Sequence, residues 1–304
     1  MDERAALAHV FERARSQLRG LAFRMLGSLD EADDAVQETW LRASRAGASG
    51  VENAAGWLTT ILGRVCLDAL RARRRRSDEV SDGAELELAV PDDARGPEDE
   101  AELVDSVGLA LLVVLDRLGP AERVAFVLHD LFGVPFDEIA SIVERSPAAA
   151  KKLASRARHR VQGTAKVAAA DLETHRGVVD AFLAASRDGD LAGLLAVLAP
   201  DVVRRADRIA VGRGGEREMR GALAVAKETR TNAGLARFAR AALVDGAVGA
   251  VVAPRGRLRF VLQLAIEGGR VASIDVIGDP ARLRQIQLGW LGDRPDADGV
   301  SGSA

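Results

Sequence analysis

The chain has 304 residues, 48% hydrophobic and 29% charged, with a net charge of −3, enough length and apolar content for two or three domains with their own cores. Cys66 is the only cysteine, which excludes a disulfide framework and a cysteine-based zinc site. Met1 to His9 lacks a signal-peptide pattern and no run of about 18 uncharged apolar residues appears, so no membrane span is expected and the location is cytoplasmic.

Arg4 to Arg45 reads as helices, with Leu7, Val10, Phe11, Leu18, Leu21, Phe23 and Leu26 at spacings near three and four. Gly27 breaks the pattern, and Ser28 offers an N-cap for a helix over Leu29 to Ala43. Ala32, Ala35, Val36, Thr39 and Trp40 share one side of that helix; Glu31, Asp33, Asp34, Gln37 and Glu38 populate the rest. Arg45 to Gly56 is a Gly, Ala and Ser loop. The next helix runs from about Trp57 to Arg76 and ends in Arg71, Arg73, Arg74, Arg75 and Arg76.

Asp78 to Asp105 holds twelve acidic residues against the single Arg95, contains Pro91, Gly96 and Pro97, and has no helical stripe. It reads as a flexible linker that same-sign repulsion keeps extended. Helices resume near Ala101, and Leu109 to Leu118 is strongly apolar. Gly119-Pro120 starts a helix to Leu131, Phe132 to Pro135 turns, and Phe136 to Val143 is a short helix. After the turn at Glu144-Arg145, Ser146-Pro147 opens a basic helix with Lys151, Lys152, Arg156, Arg158 and Arg160.

Beyond Gly163 the pattern changes. Arg176 to Ala199 gives two short helices broken at Asp188-Gly189-Asp190, and Leu223 to Thr229 gives another. Ala247 to Ala253, Leu258 to Ile266 and Val271 to Ile277 read as strands separated by turn signals. This is a separate α+β domain, and residues 292–304 read as a disordered tail.

Two cationic helices on separate modules suit nucleic acid, and local charge decides this rather than the whole-chain value. Ala121 to Val161 has helix-turn-helix spacing, which puts the N-terminal residues of the second helix at base edges in the major groove. The plain alternative is a solvated basic face on a small bundle. The Trp57–Arg76 helix joins an arginine cluster to an aromatic, a pairing suited to single-stranded DNA; Trp57 itself reads more readily as core. The acidic Leu29–Ala43 helix repels DNA and suits a protein partner with a basic face, unless it is merely solvated.

Leu29-Asp-Glu-Ala-Asp-Asp-Ala-Val-Gln-Glu-Thr-Trp-Leu-Arg42 resembles the polymerase-binding helix in region two of bacterial sigma factors. Trp57 to Arg76 resembles the adjoining −10 helix. Leu115 to Arg123, with Ser146 to Arg158, resembles region four, which reads the −35 element. The three segments stand in the family's order, and no region one or three is recognisable, which points to the extracytoplasmic-function group. The remainder is similar to the SnoaL-like extension of a SigJ-like subset, on Val178 to Phe182, Gly221 to Ala226, Val244 to Ala247 and Ile274 to Leu283. Where relatives carry a Trp-Leu-Pro-Glu-Pro-like linker motif and an Asp-Gly-Gly-Gly-Lys-like loop, this chain has Val90-Pro91 and Val211-Gly-Arg-Gly-Gly215.

The resemblance implies two all-α sigma domains, residues 1–77 and 106–165, joined by the linker 78–105 and followed by an α+β cone-shaped SnoaL-like domain, 173–291. It implies an alternative sigma factor whose partners are core RNA polymerase and promoter DNA, not an enzyme, with no cofactor and no metal. Core binding falls to Asp33, Asp34, Gln37, Glu38 and Leu41. The −10 element falls to Asn53, Trp57, Thr60, Arg64, Arg71, Arg73, Arg74 and Arg75, and the −35 element to Ser146, Ala148, Lys151, Lys152, Ser155, Arg156 and Arg158. The C-terminal motif comprises Asp207, Gly214, Gly215, Asp279, Pro280 and Leu283, in a domain that modulates activity through intramolecular contact with the sigma domains. Two alternatives stand: a one-component helix-turn-helix regulator with a small-molecule-sensing domain, and a SnoaL-like isomerase or cyclase fused to a DNA-binding module. SnoaL-like enzymes need polar acid/base groups. The histidines, His9, His129, His159 and His175, all precede Arg176, and tyrosine is absent, leaving Asp180, Asp207, Asp245 and Asp275 as candidate acids.

Overall fold

The computed structural model describes residues 3–47, 49–80, 108–212 and 215–292. They form two compact units, Met1–Val161 with Pro254–Arg257, and Gln162–Ala253 with Leu258–Ala304.

The first unit opens with α1 (Glu3–Leu26), α2 (Leu29–Ala46) and α3 (Ala54–Val80), which pack on one another pairwise. Gly27 at φ 78° ends α1, and the Ser28 hydroxyl accepts from the Glu31 amide to begin α2. Leu18, Leu21, Ala22 and Met25 of α1 meet Ala32, Ala35, Val36 and Thr39 of α2 and Leu58, Leu62, Val65 and Cys66 of α3 in the core. The buried Thr39 hydroxyl donates to the Ala35 carbonyl, so the helix itself satisfies it. Burial pushes the Cys66 thiol up to about 12, Glu31 adds to the rise and Arg123 opposes it, so the folded chain keeps this cysteine as an unreactive thiol.

The α3 helix starts three residues before the expected Trp57, because Asn53 accepts the Gly56 amide and caps it. It also continues to Val80, past the expected start of the linker at Asp78. The rest of the linker, the expected helix restart near Ala101, and residues 293–304 of the tail lie outside the described residues.

The unit continues with α4 (Leu109–Leu115), apolar all round and wholly buried, and α5 (Pro120–Phe126), with Pro120 at its first position. The helix expected to reach Leu131 changes at Val127 into a π-helical turn, Val127–Leu131. The amide of Val134 reaches back to the Leu128 carbonyl, and His129 Nδ1 contacts the Val134 carbonyl at 3.1 Å. Then come α6 (Phe136–Val143), a left-handed residue at Glu144 (φ 57°), and α7 (Pro147–Gln162), started by the Ser146 hydroxyl accepting from the Ala149 amide.

In the second unit α8 (Ala169–Asp188) begins well before the expected Arg176. After α9 (Leu191–Val197) come β1 (Leu198–Ala206), the short α10 (Arg208–Val211), β2 (Glu218–Arg220), α11 (Ala222–Thr231) and α12 (Ala233–Ala236). The strands β3 (Ala239–Val244), β4 (Ala247–Val252), β5 (Phe260–Glu267) and β6 (Arg270–Ile277) precede α13 (Pro280–Gln285) and β7 (Leu288–Gly289). The seven-stranded sheet has the order β2-β1-β6-β5-β4-β3-β7, antiparallel except for the parallel β1–β6 pair. Val179, Phe182 and Leu183 of α8, Leu194 of α9, and Val225 and Ala226 of α11 cover one face, closing a core with Val248, Ala250, Phe260, Leu264 and Ile274. This is the α+β domain expected from the sequence.

Candidate nucleic-acid interface

The basic helix α7 buries only small residues and one valine, Ala150, Ala154, Ala157 and Val161, at spacings of four, three and four. Alanine lets the helix lie close to its supports and leaves the long side chains outward. Ser146, Ala148, Lys151, Lys152, Ser155 and Arg156 are therefore all exposed. Arg158 differs: its Nε donates to Asp130 on the π-turn at 2.5 Å, and Arg160 donates to Glu122 at 2.6 Å. Those two carboxylates are only 14% and 12% exposed, so they anchor the C-terminal half of α7 to its bundle. Sequence spacing marks this helix as basic but could not tell anchoring arginines from outward ones.

On α3 the expected −10 residues divide the same way. Arg74 and Arg75 are exposed and Arg71 is half-buried. Thr60 donates to the Gly56 carbonyl, and Trp57 is half-buried. Asn53 serves as the cap of α3. Arg64 donates to the Ser141 carbonyl of α6, and Arg73 donates to the Leu26 carbonyl and to Asp116. Arg123 of α5 completes this cluster. It is buried, and donates to Asp116 at 3.1 Å and to the Arg24 carbonyl at 3.4 Å. Sequence reasoning passed over Arg123 and Asp116; their place in the Leu115–Arg123 segment was the available signal.

The expected polymerase-facing residues line the outer side of α2. Asp33, Asp34, Gln37 and Leu41 are exposed, Leu41 at 38%, and Glu38 is half-buried. Asp33 accepts from Arg19 at 2.6 Å and Glu38 from Arg42 at 2.7 Å. A cleft of about 430 Å³ between α1 and α2 is lined by Phe11, Arg15, Arg19, Asp33, Gln37 and Trp40. The Phe11 and Trp40 rings stand 5.0 Å apart in it.

In the second unit Asp207, Gly278, Asp279, Pro280 and Leu283 come together. Asp207 Oδ1 accepts from the amides of Ile209 and Ala210, and Oδ2 from those of Gly278 and Asp279. Asp279 in turn caps α13 through the Arg282 amide, and Leu283 is buried. A Cβ on Gly278 would meet the Phe260 ring at 2.9 Å, so only glycine fits there. Gly215 is exposed and apart from this cluster in the hydrogen-bond pattern, while Gly214 lies outside the described residues. Burial pushes the Asp207 carboxyl up, but the amides of Asp279, Ala210 and Gly278 and the charge of Arg282 outweigh it, and the net shift is downward.

Two of the other candidate acids have side-chain partners. Asp245 accepts from Gln263 and the Gln287 amide, and Asp180 pairs with Arg176. Asp275 sits in register between Arg205 and Gln263 of the neighbouring strands. A cleft of about 190 Å³ beside Asp245 and Arg282 is smaller than the roughly 300 Å³ at which small-molecule pockets begin. Among the described residues no helix is long and apolar enough to cross a membrane.

An acidic-faced helical bundle joined in one unit to a helix-turn-helix with an outward basic helix is the make-up of a transcription factor that meets both protein and DNA. Residues 10–76 match the Sigma-70 region 2 family and residues 108–161 match Sigma-70 region 4. Probable ECF RNA polymerase sigma factor SigI of Mycobacterium tuberculosis is 35% identical over 279 residues, covering 88% of this chain and 92% of the relative. ECF RNA polymerase sigma factor SigJ of the same species is 33% identical over 289 residues, covering 90% and 92%. A crystal structure of the M. tuberculosis SigJ protein is similar at 31% identity, covering 91% of this chain and 98% of that one, with a TM-score of 0.42. The chain belongs to the ECF RNA polymerase sigma factors, the alternative sigma factors that direct transcription initiation.

Proposed function

We propose a division of labour within this sigma factor. The exposed side of α2, Asp33, Asp34, Gln37, Glu38 and Leu41, docks core RNA polymerase. The exposed Arg74 and Arg75 of α3, with Asn53, Trp57, Thr60, Arg64, Arg71 and Arg73, hold the −10 element during opening. Ser146, Ala148, Lys151, Lys152, Ser155 and Arg156 read the −35 duplex, and Arg158 contributes through the guanidinium nitrogens that Asp130 leaves over. The observation that carries this reading is the alanine stripe of α7, which turns its lysines and Arg156 outward together. The sigma modules span 1–77 and 106–165, the acidic segment between them is a spacer, and the work is done in the cytoplasm, where polymerase and DNA are.

The test is in-vitro transcription with core polymerase. Promoter-specific initiation that requires core supports the reading, whereas core-independent repression or activation would favour a one-component regulator. Lys151→Ala with Lys152→Ala should weaken promoter binding and flatten its log–log salt dependence by up to about 0.9 per lost phosphate contact. An unaltered slope would argue that neither lysine touches phosphate.

The C-terminal domain, a SnoaL-like module over 173–291, acts in our reading as a regulator and not as an enzyme. Two observations support this. Its buried polar side chains among the described residues are Ser186, which donates to the Phe182 carbonyl, and Arg204, which pairs with Glu228. Its candidate acids Asp180, Asp207 and Asp245 are tied into ion-pair and hydrogen-bond contacts, and the sequence has no tyrosine. Ending the chain before Glu173 should change promoter output in the same assay, and unchanged output would sink the regulatory role.

A further inference from the structure

Two of the α3 arginines assigned to the −10 element, Arg64 and Arg73, already hold partners from further along the chain. A Cβ on Gly63 would lie 3.0 Å from the Ile142 Cδ1, so α3 and α6 meet at a glycine. Beside it Arg64 donates to the Ser141 carbonyl at 3.2 Å. Further along, a single oxygen, Asp116 Oδ1, accepts from Arg73 of α3 at 2.9 Å and from Arg123 of α5 at 3.1 Å. Arg73 and Arg123 also cap the end of α1, through the Leu26 and Arg24 carbonyls. Arg64 and Arg73 lie within the region 2 match; Asp116, Arg123, Ser141 and Ile142 lie within the region 4 match.

Distance makes this contact consequential. Elements centred near −10 and −35 are about 25 base pairs apart, or roughly 85 Å at about 3.4 Å per pair. A compact unit of about 160 residues has a radius of gyration of roughly 15 Å, hence a width of about 40 Å. The two modules cannot read both elements while packed on each other.

We infer that the −10 face of α3 is an interaction surface for the chain's own region four, and that Asp116 is its clasp. Asp116 stands where a DNA phosphate would stand, as an anion on Arg73, so DNA entering the −10 site competes with it. The clasp is 48% exposed, which leaves it open to that competition. This rests on the assignment of Arg64 and Arg73 to −10 DNA.

The test uses the full chain labelled at Ala46→Cys and Asp137→Cys, both exposed; the buried Cys66 stays unlabelled. Asp116→Asn should broaden the label separation toward longer distances without DNA or polymerase. It should also raise affinity for a short oligo(dT) strand about two- to fivefold, the scale of one exposed ion pair. The same strand should lengthen the separation in the otherwise unsubstituted chain. A folded Asp116→Asn chain with unchanged separation and unchanged affinity overturns the clasp. If that variant melts, Asp116→Glu, which keeps the charge and displaces the oxygens, is read in the same way. A longer separation with no oligo(dT) binding in either chain upholds the clasp and refutes the −10 assignment instead.

Discussion

Arg123→Ala is expected to destabilise the N-terminal unit by about 3 kcal/mol, a fall in melting temperature of roughly 6–12 °C. The Arg123 side chain is 3% exposed and joins three elements through Asp116 and the Arg24 carbonyl. Burial lowers its pKa, Asp116 raises it again, and Arg73 lowers it, but a guanidinium stays charged across this range. Truncation removes two charge-assisted hydrogen bonds, opens a cavity beside Gly27 and takes one hydrogen-bonding guanidinium from Asp116, leaving that of Arg73 in place. Lysine should not rescue it, because one ammonium cannot reproduce a fork that serves a carboxylate and a carbonyl at once. Thermal unfolding followed by circular dichroism decides the matter; a loss under about 1 kcal/mol would show that the cluster is dispensable.

Asp207→Ala should cost the C-terminal unit a comparable amount, at least about 3 kcal/mol, since four amide donors lose one acceptor group. Asp207→Asn keeps one acceptor oxygen and should lose less. The effect depends on pH in a fixed direction. The folded carboxyl titrates below its ordinary value of about 3.9, so its contribution is complete above that value and is lost as pH falls through the lowered one. Asp207→Asn should therefore flatten the acid limb of the stability curve below about pH 4. Denaturant unfolding measured from pH 2 to 7 tests this, and an unchanged acid limb would mean that the carboxylate's charge is immaterial.

Elements with local punctuation were legible in the sequence. The Ser28 cap, the Phe136–Val143 helix, the Ser146-Pro147 start and the three strands after Ala247 follow from caps, prolines and alternation. Those set by distant partners were not. The β1 strand, Leu-Ala-Pro-Asp-Val-Val-Arg-Arg-Ala, carries a proline and three charges, and is a strand because β6 and β2 flank it. The β2 strand is three residues long with charges at both ends. The π-turn interrupts an apolar run that reads as continuous helix. For the candidate site, sequence spacing put the cations on the right helices. Which arginines are spent on Asp116, Asp130 and Glu122 depends on contacts far along the chain.

The parallel β1–β6 pairing also sets an order of events at the ribosome. Val203 finds its partner Ser273 only after nearly the whole domain has been made, whereas the N-terminal unit is built mainly from residues up to Val161. Such non-local pairing is slow relative to helix packing. At about 5–20 residues per second, synthesis from Gln162 to Ile277 takes on the order of ten seconds. During that interval the nascent chain presents both sigma regions while β1 still lacks its parallel partner β6.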